Sequence, residues 1–192
     1  MQNPSTFATE HEHRESRAAV MLTLPRTHLT FCCTHLDHRE ESVRLAQLDQ
    51  LRPKLDARQP FVFLGDFNSL RRHDYDDSTW AALVRKRADA GIETETKVTE
   101  ELEGSWGLRD CRTAAKRVTG SINTCVHDCR IDYIWASAAA LAGWRVVECT
   151  HNVLTRTDGA GGKQEEQDDD SDDDDDELTD HSLVVCVLER VG

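Results

Sequence analysis

The 192-residue sequence predicts an α/β domain on three observations. Short apolar runs rich in β-branched residues recur along the chain, segments with helical periodicity separate some of them, and a proline-containing turn joins the first two. Strands that alternate with helices, with a hairpin among them, are typical of the α/β class. The length suits one domain with a substantial core.

Six strands and two helices are predicted along the chain. The strands cover residues 17–24, 29–36, 61–64, 130–137, 144–154 and 182–189, and the helices cover residues 39–55 and 79–90. Pro25 lies in the turn of the hairpin expected between the first two strands. Pro53 is expected to kink or end the first helix, and Gly91 is expected to end the second. Residues 92–120 are polar and are interpreted as looser chain.

Two segments are predicted to be disordered. Residues 1–16 are polar, and residues 158–177 begin with glycines and continue as nearly pure aspartate. Such compositions bury too little apolar area to offset the entropy of the chain. Because the acidic segment separates two predicted strands, we interpret it as an insertion within a domain that covers residues 17–192.

The net charge of −13 comes mainly from the acidic segment. Residues 165–177 hold 11 acidic residues and no basic one, and removing these 11 charges leaves −2 on the rest of the chain. No basic stripe predicts a broad nucleic-acid-binding surface, so a phosphate substrate has to be held by local chemistry.

The sequence predicts an intracellular protein of the cytoplasm or nucleus. The first 16 residues lack the apolar core of a signal peptide, and no apolar run approaches the roughly 20 residues of a transmembrane helix. The seven cysteines, several of them within apolar strands, favour reduced thiols over a disulfide framework. In the stretch CVHDC, Cys125 to Cys129, possible zinc ligands would sit at one-residue gaps and have no second pair, so chance placement is the favoured interpretation.

Polar side chains follow or interrupt several of the predicted strands. They are His35, Asp66, Asn68, Asp132, Asp180 and His181. Each alone suits a cap or a turn, and the composition of the stretch GDFNS alone favours a turn. Together at strand ends they suggest a hydrolytic site, in which carboxylates bind a hard divalent cation and an imidazole is oriented by a carboxylate. Asp132 and His181 are the expected imidazole–carboxylate pair.

Four motifs, taken in order, resemble the endonuclease/exonuclease/phosphatase superfamily. They are THL after a strand, GDFNS, RIDYI, and TDHS before the last strand. The resemblance covers about residues 17–189 without the acidic insertion. It implies part of a two-sheet α/β sandwich with outer helices, of the DNase-like kind, and a site that depends on Mg²⁺, with Mn²⁺ as an alternative.

The resemblance also implies an activity and a role for each site residue. The implied enzyme is a metal-dependent phosphoester hydrolase of the nuclease, phosphodiesterase or phosphatase type, and its substrate is a nucleic acid, an inositol phosphate or a phospholipid headgroup. The implied catalytic residues are His35, Asp66, Asn68, Asp132 and His181, and the implied metal ligands are Asp66, Asn68 and Asp180. Asp66 would position the attacking water, and Asp132 would orient His181 toward the charge that develops on the phosphoryl group.

The sequence departs from the superfamily upstream of Arg17. In the superfamily, strands in this region carry an early asparagine and the glutamate that anchors the metal, and they have no counterpart here. We therefore expect an incomplete domain that lacks its N-terminal half. Such a domain would be inactive if the truncation removes the metal site. The alternative from another class is a non-catalytic relic that acts as an acidic interaction module through residues 165–177. Sheet edges left unpaired would favour oligomerisation.

Overall fold

A computed structural model describes residues 5–7, 17–56, 58–125, 127–152 and 181–191 of the protein. The strands are β1 (Ser5–Phe7), β2 (Arg17–Thr23), β3 (Thr30–His35), β4 (Phe61–Asp66), β5 (Arg109–Asp110), β6 (Arg117–Gly120), β7 (Asp132–Ala136), β8 (Trp144–Asn152) and β9 (Leu183–Arg190). The helices are α1 (Glu41–Leu51), α2 (Asp77–Asp89), α3 (Lys97–Gly104), α4 (Cys111–Ala114) and α5 (Ala138–Gly143), with 3₁₀ turns at Arg52–Lys54 and Arg72–Asp74. The predicted insertion at residues 158–177 and Asp180 lie outside the described residues.

The described strands form two sheets. The large sheet has the order β1-β2-β3-β4-β7-β5, and the small sheet has the order β6-β8-β9. The expected hairpin is present, since β2 and β3 are antiparallel. The next strand, β4, runs parallel to β3 and is reached through α1. Strand β7 then pairs antiparallel with β4, which places the start of β7 beside the end of β4.

The large sheet is covered on both faces. On one face Phe63 and Trp135 pack in a core with Leu48 of α1 and Leu102 of α3. On the other face a second core joins residues of the large sheet to β8 and β9 of the small one. Each strand can serve two cores because its successive side chains point to opposite faces. The predicted two-sheet α/β sandwich with outer helices is therefore confirmed.

Local chemistry sets the ends of the helices. Helix α1 gives way to a 3₁₀ turn that contains Pro53, as expected for a residue without an amide hydrogen. Helix α2 begins after Asp76, whose side chain accepts a hydrogen bond from the Thr79 amide at 2.8 Å. It ends just before Gly91, which has φ +70°. None of the helices in the described part of the chain is long and apolar enough to cross a bilayer.

The structure differs from the sequence analysis at three places. Residues 92–120 contain α3, β5, α4 and β6, although their polar composition indicated looser chain. Helix α3 packs against the core through only two large apolar residues. Val98 and Leu102 are four positions apart, so they lie on the same side of the helix, and both are fully buried. Helix α5 was not predicted. Within the N-terminal stretch expected to be disordered, residues 5–7 form a short strand that pairs with β2.

Candidate active site

Three of the predicted site residues lie side by side across the large sheet. The strand register sets His35 of β3 beside Asp66 of β4, and Asp66 beside Asp132 of β7. Side chains at paired positions of neighbouring strands project from the same face. That face is turned toward the small sheet, because Asp66 alternates along β4 in step with Val62 and Leu64, which contact the inter-sheet core.

His181 approaches this row from the small sheet, two residues before β9. Its Nδ1 atom lies 2.9 Å from Asp132 Oδ2, within hydrogen-bond distance. Its Nε2 atom lies 3.9 Å from Asp66 Oδ2. The structure thus brings together the two residues that the sequence analysis paired, and it places the Nε2 edge of the imidazole beside Asp66.

Asp66 and Asn68 are joined by a turn. Strand β4 ends at Asp66, and Asn68 adopts the left-handed region with φ +48°. The Asn68 amide donates to Asp66 Oδ1 at 2.7 Å, and Asn68 Nδ2 donates to Asp66 Oδ2 at 3.2 Å and to the Leu36 carbonyl at 3.1 Å. Such bonds are characteristic of an aspartate that closes a turn. Asn68 lies beyond the end of β4, so the turn, and not the alternation of side chains along a strand, brings its side chain to Asp66. The turn expected from the composition of GDFNS is therefore part of the candidate site.

His35 lies on the open side of Asp66. Its Nε2 atom is 3.4 Å from Asp66 Oδ2, and its side chain is 52% exposed, so it remains accessible to a ligand. Partial burial lowers the pKa of His35, and the positive charges of Arg17 and His181 lower it further. The ring is therefore mainly neutral at pH 7 and can accept or donate one hydrogen bond on each nitrogen according to its tautomer.

The carboxyl group of Asp66 has a strongly shifted pKa. Burial and the negative charge of Asp132 raise the pKa of Asp66 to about 7, although the hydrogen bond from the Asn68 amide acts in the opposite direction. A group with a pKa near the working pH is best suited to exchange a proton with a reacting molecule. A shifted carboxyl in a cleft is also a frequent mark of a functional site.

Asp66, Asp132 and His181 could together hold a metal ion. Each offers one ligand atom, and these atoms lie within 4.8 Å of one another. Two carboxylates close together in a buried setting repel each other, and a divalent cation would offset this repulsion. Carboxylate oxygens are the donors that hard divalent cations prefer, so the residues fit such an ion. Of the predicted metal ligands, Asp66 belongs to this group and Asn68 lies beside it, whereas Asp180 is outside the described residues.

Thr124, which the sequence analysis did not single out, supports the Asp132–His181 pair. Its buried hydroxyl oxygen accepts hydrogen bonds from the amides of Ile131 at 3.0 Å and Asp132 at 3.1 Å. Its carbonyl accepts a hydrogen bond from the Ser182 amide at 2.8 Å. Thr124 therefore links the start of β7 to the residue that follows His181. No local pattern marks this threonine, since its partners are distant in the sequence.

Arg130 anchors the chain two residues before Asp132. Its fully buried guanidinium donates two hydrogen bonds of 2.8 Å to the Asp110 carboxylate and contacts Asp74 at 3.1 Å. Burial alone would lower the pKa of Arg130, but the charges of Asp110 and Asp74 outweigh it and raise the pKa above its usual value. The bidentate pair fixes the entry to β7. In the sequence, the only local sign of this ion pair is a basic residue, Arg130, next to the apolar stretch of β7.

A cavity of about 910 Å³ opens beside Asn68. Its wall includes the cationic side chains of Arg39 and Lys97, several glutamates, and the thiols of Cys125 and Cys129. Its size falls within the range of about 300–1,000 Å³ that is usual for small-molecule sites. Of the predicted site residues in the described part of the chain, Asn68 lines this space, whereas His35, Asp66, Asp132 and His181 are not part of its wall.

The family of the chain follows from its sequence as well as from this geometry. The model of the Endonuclease/Exonuclease/phosphatase family matches residues 5–181, so the protein belongs to that family. The match begins upstream of Arg17, where the resemblance noted from the four motifs began. A search of curated proteins found no match.

Several solved structures share the fold. One is an endonuclease/exonuclease/phosphatase from Bacteroides vulgatus, with 18% identity over 92% of this chain and 56% of that one, at a TM-score of 0.54. A second is a mannosyl-6-phosphatase from Bacteroides thetaiotaomicron, with 15% identity over 97% of this chain and 66% of that one, at a TM-score of 0.54. A third is a family member from Leptotrichia buccalis, with 14% identity over 97% and 59% and a TM-score of 0.52. The chain thus spans 56–66% of the length of these structures.

Proposed function

We propose that this site hydrolyses phosphoesters with the help of a bound divalent cation, Mg²⁺ or Mn²⁺. The observation that carries the proposal is the position of Asp66, which lies 3.4 Å from His35 Nε2 and 3.9 Å from the Nε2 atom of the His181–Asp132 pair. A carboxylate that can accept a proton therefore lies between two imidazoles. Membership in the family supports the same class of reaction.

In the proposed reaction Asp66 accepts a proton from the attacking water. The raised pKa of Asp66 suits this transfer near neutral pH, and a placed acid or base contributes about 10²–10⁴-fold to a rate. Asn68 acts as a positioning residue, because its two hydrogen bonds to Asp66 fix the direction of the carboxylate. Water held in a fixed line of attack reacts faster than free water, since its orientation is already set.

His181 stabilises the negative charge that develops on the phosphoryl oxygens. Asp132 accepts a hydrogen bond from Nδ1 of His181 at 2.9 Å, which fixes the orientation of the ring. When the ring also carries a proton on Nε2, this nitrogen is the donor, and it lies 3.9 Å from Asp66 Oδ2. His35, half-exposed on the other side of Asp66, contacts the phosphate or assists protonation of the leaving group through a ring N–H.

The cation would be held by Asp66, by the side-chain oxygen of Asn68 and by Asp180, with Asp132 within reach. When bound, it would supply Lewis-acid stabilisation of the phosphoryl oxygens. We propose that residues 1–192 do not include the superfamily's metal-anchoring glutamate, and that this chain alone therefore binds the cation weakly. The substrate is proposed to be a nucleic acid, an inositol phosphate or a phospholipid headgroup, met in the cytoplasm or nucleus.

The proposal is tested by hydrolysis of a nitrophenyl phosphodiester and of the matching monoester, each with Mg²⁺, with Mn²⁺ and with a chelator. Asp66→Asn and His181→Asn should each lower kcat by at least about 10²-fold while leaving the circular dichroism spectrum unchanged. The matched control is His73→Asn, because the His73 side chain is 78% exposed and lies outside the site.

Equal rates for the unmodified chain and for Asp66→Asn would overturn the proposed hydrolysis. The alternative, an acidic interaction module formed by residues 165–177, would then be the remaining proposal for this chain.

A further inference from the structure

Cys125 and Cys129 face each other across a tight turn beside the candidate active site. Their Sγ atoms are 3.5 Å apart, and the two residues pair as antiparallel bridge partners. Directly opposed residues on antiparallel strands have Cα atoms about 4.5–5.5 Å apart. This spacing lies inside the range of about 4.4–6.8 Å that disulfides adopt. The backbone therefore already holds both residues at a separation that a disulfide can bridge.

The two thiols can be reached from the cavity. Both cysteines line the same space as Asn68, so a small reagent that enters it meets them without unfolding of the chain. Cys129 is nearly fully buried, whereas Cys125 is partly exposed. Cys125 is therefore the sulfur that an external reagent contacts first, and Cys129 is placed behind it as the second thiol.

We propose that Cys125 and Cys129 are a redox site that closes to an intramolecular disulfide by exchange with a low-molecular-weight disulfide. The thiolate of Cys125 attacks one sulfur of the reagent, breaks its S–S bond, releases one thiolate and forms a mixed disulfide. Cys129 then loses its proton to solvent and attacks the Cys125 sulfur, which releases the second thiolate. Overall the two protein thiols lose two electrons and two protons, and the reagent is reduced to two thiols.

Closure of this disulfide acts on the residues that hold the catalytic pair. The backbone of Cys125 also pairs with His181, and the hydroxyl oxygen of the preceding residue, Thr124, accepts a hydrogen bond from the Asp132 amide at 3.1 Å. An S–S bond of about 2.0 Å requires the two sulfurs to approach by about 1.5 Å from their present 3.5 Å. Because Cys125 would have to move and its backbone pairs with that of His181, the disulfide should change the surroundings of the His181 ring. Any effect on hydrolysis rests on the proposed function, whereas formation of the disulfide does not.

One tryptic peptide reports the state of the pair. Residues 118–130 lie between two arginines and contain Cys125 and Cys129 but no other cysteine. The intact chain is equilibrated in mixtures of reduced and oxidised glutathione, free thiols are alkylated, and the chain is digested without reduction. We expect this peptide to appear unalkylated and lighter by two hydrogen atoms. Treatment with dithiothreitol should restore the doubly alkylated peptide.

The folded geometry is tested against the same chain in concentrated urea. The native chain should reach half oxidation at a ratio of oxidised to reduced glutathione at least about tenfold lower, because the fold holds the sulfurs in contact. Cys125→Ser and Cys129→Ser should each abolish the oxidised peptide. Cys33→Ser, at an exposed cysteine on β3, is the matched control and should leave the ratio unchanged.

Equal ratios in the native and unfolded chains would overturn the proposal, as would accumulation of a glutathione adduct on Cys125 without closure onto Cys129. A second measurement addresses His181 directly. The ring signals of His181, assigned by their loss in His181→Asn, should shift in the proton NMR spectrum on oxidation and return on reduction. Unchanged ring signals in a fully oxidised sample would contradict the coupling to the catalytic pair.

Discussion

Gly65 sets the position of Asp66 at the end of β4. It has φ +134°, a region that residues with a side chain rarely adopt. A Cβ atom at this position would lie 1.8 Å from the Thr34 carbonyl oxygen of the neighbouring strand. The close approach of β3 and β4 at their ends therefore requires a residue without a side chain. That approach is also what sets His35 beside Asp66.

Gly65→Ala should destabilise the fold by at least about 2 kcal/mol, because it combines backbone strain with a contact that only movement of a strand can relieve. The free energy of unfolding from urea titration measures the effect. Gly104→Ala is the matched control, because nothing lies within 4 Å of its added Cβ and it is in α3. The control should be neutral or slightly stabilising. Equal unfolding free energies for the two variants would contradict this account of Gly65.

Asp37 gives the fold a stability that depends on pH. Burial alone would raise the pKa of Asp37, but hydrogen bonds from the amides of Glu40 and Arg39 outweigh it and lower the pKa below its usual value. A carboxyl with a lowered pKa in the folded state contributes stability above its unfolded pKa of about 3.9. That contribution is lost as the pH falls through the lower pKa of the folded state.

Asp37→Asn should therefore cost about 1 kcal/mol of unfolding free energy at pH 7, and the difference from the unmodified chain should shrink as the pH falls from about 5 to below 3. Urea titrations over this pH range give the measurement. Asp49→Asn, at an exposed position of α1, serves as the control and should show a much smaller difference. A difference for Asp37→Asn that stays constant with pH would show that its charge has no part in the effect.

At the scale of the elements, Arg130 joins three of them. It lies before β7, Asp110 belongs to β5, and Asp74 belongs to the second 3₁₀ turn. All three side chains are almost wholly buried. A buried charge that loses its partner is strongly destabilising, whereas an intact buried pair adds little by itself. The main effect of the network is therefore to fix the relative positions of these elements. Its net contribution to the free energy of unfolding is small.

Arg130→Met should destabilise the fold by about 3–5 kcal/mol, because the buried Asp110 loses its bidentate partner and keeps only Arg71 at 3.9 Å, while Asp74 keeps its pair with Arg71 at 2.8 Å. The additional change Asp110→Leu should recover part of this loss, which a double-mutant cycle in urea would measure. Arg58→Met is the control, since Arg58 is 88% exposed and pairs with Asp56 at the surface, where such pairs contribute at most about 1 kcal/mol. A loss at Arg130 as small as that at Arg58 would argue against the network.

The elements that could be predicted from the sequence are those whose apolar pattern is continuous. Strands β2, β3, β4, β7, β8 and β9 and helices α1 and α2 were all predicted close to their observed bounds. Helix α3 was missed because Val98 and Leu102 are its only large apolar residues, and contacts with α1 and the sheet decide its burial. Strand β5 has two residues and pairs with β7, so it depends on tertiary structure.

The candidate site could be predicted in part for a similar reason. His35, Asp66 and Asp132 lie at strand ends within apolar patterns, which makes them visible in the sequence. Their alignment in one row depends on the register of β3, β4 and β7, and no single strand contains that information. Thr124 acts through hydrogen bonds to residues brought near by folding, so only the structure identifies it.

At the scale of the whole molecule, the small sheet presents an apolar outer face. Leu183, Val185 and Val187 of β9 and Val118 of β6 are exposed, while the alternate residues of β9 contact the inter-sheet core. In the described part of the chain, β9 pairs with β8 along one edge only. An apolar face next to an unpaired strand edge is a typical site of association. We therefore propose this face as the surface through which the expected oligomerisation occurs.

We predict that the isolated chain associates through this face in a concentration-dependent way. Val187→Lys should shift the distribution toward the monomer, because a charged side chain on an edge strand opposes pairing with another strand. Sedimentation velocity over a range of protein concentrations measures the effect. Ala82→Lys, at an exposed position of α2, adds the same charge elsewhere and should leave the distribution unchanged. A monomeric unmodified chain at all concentrations would contradict the prediction.

The hydrogen bond between Asp132 and His181 bridges the two layers of the sandwich. Asp132 opens β7 of the large sheet, His181 precedes β9 of the small sheet, and the two residues are 49 positions apart. Contacts between residues so distant in sequence require closure of a long loop. Neither sheet alone contains both residues of the proposed catalytic pair, so the proposed hydrolysis requires the two sheets to be packed together. During gradual denaturation the reactivity of the site should therefore vanish before the strands themselves melt.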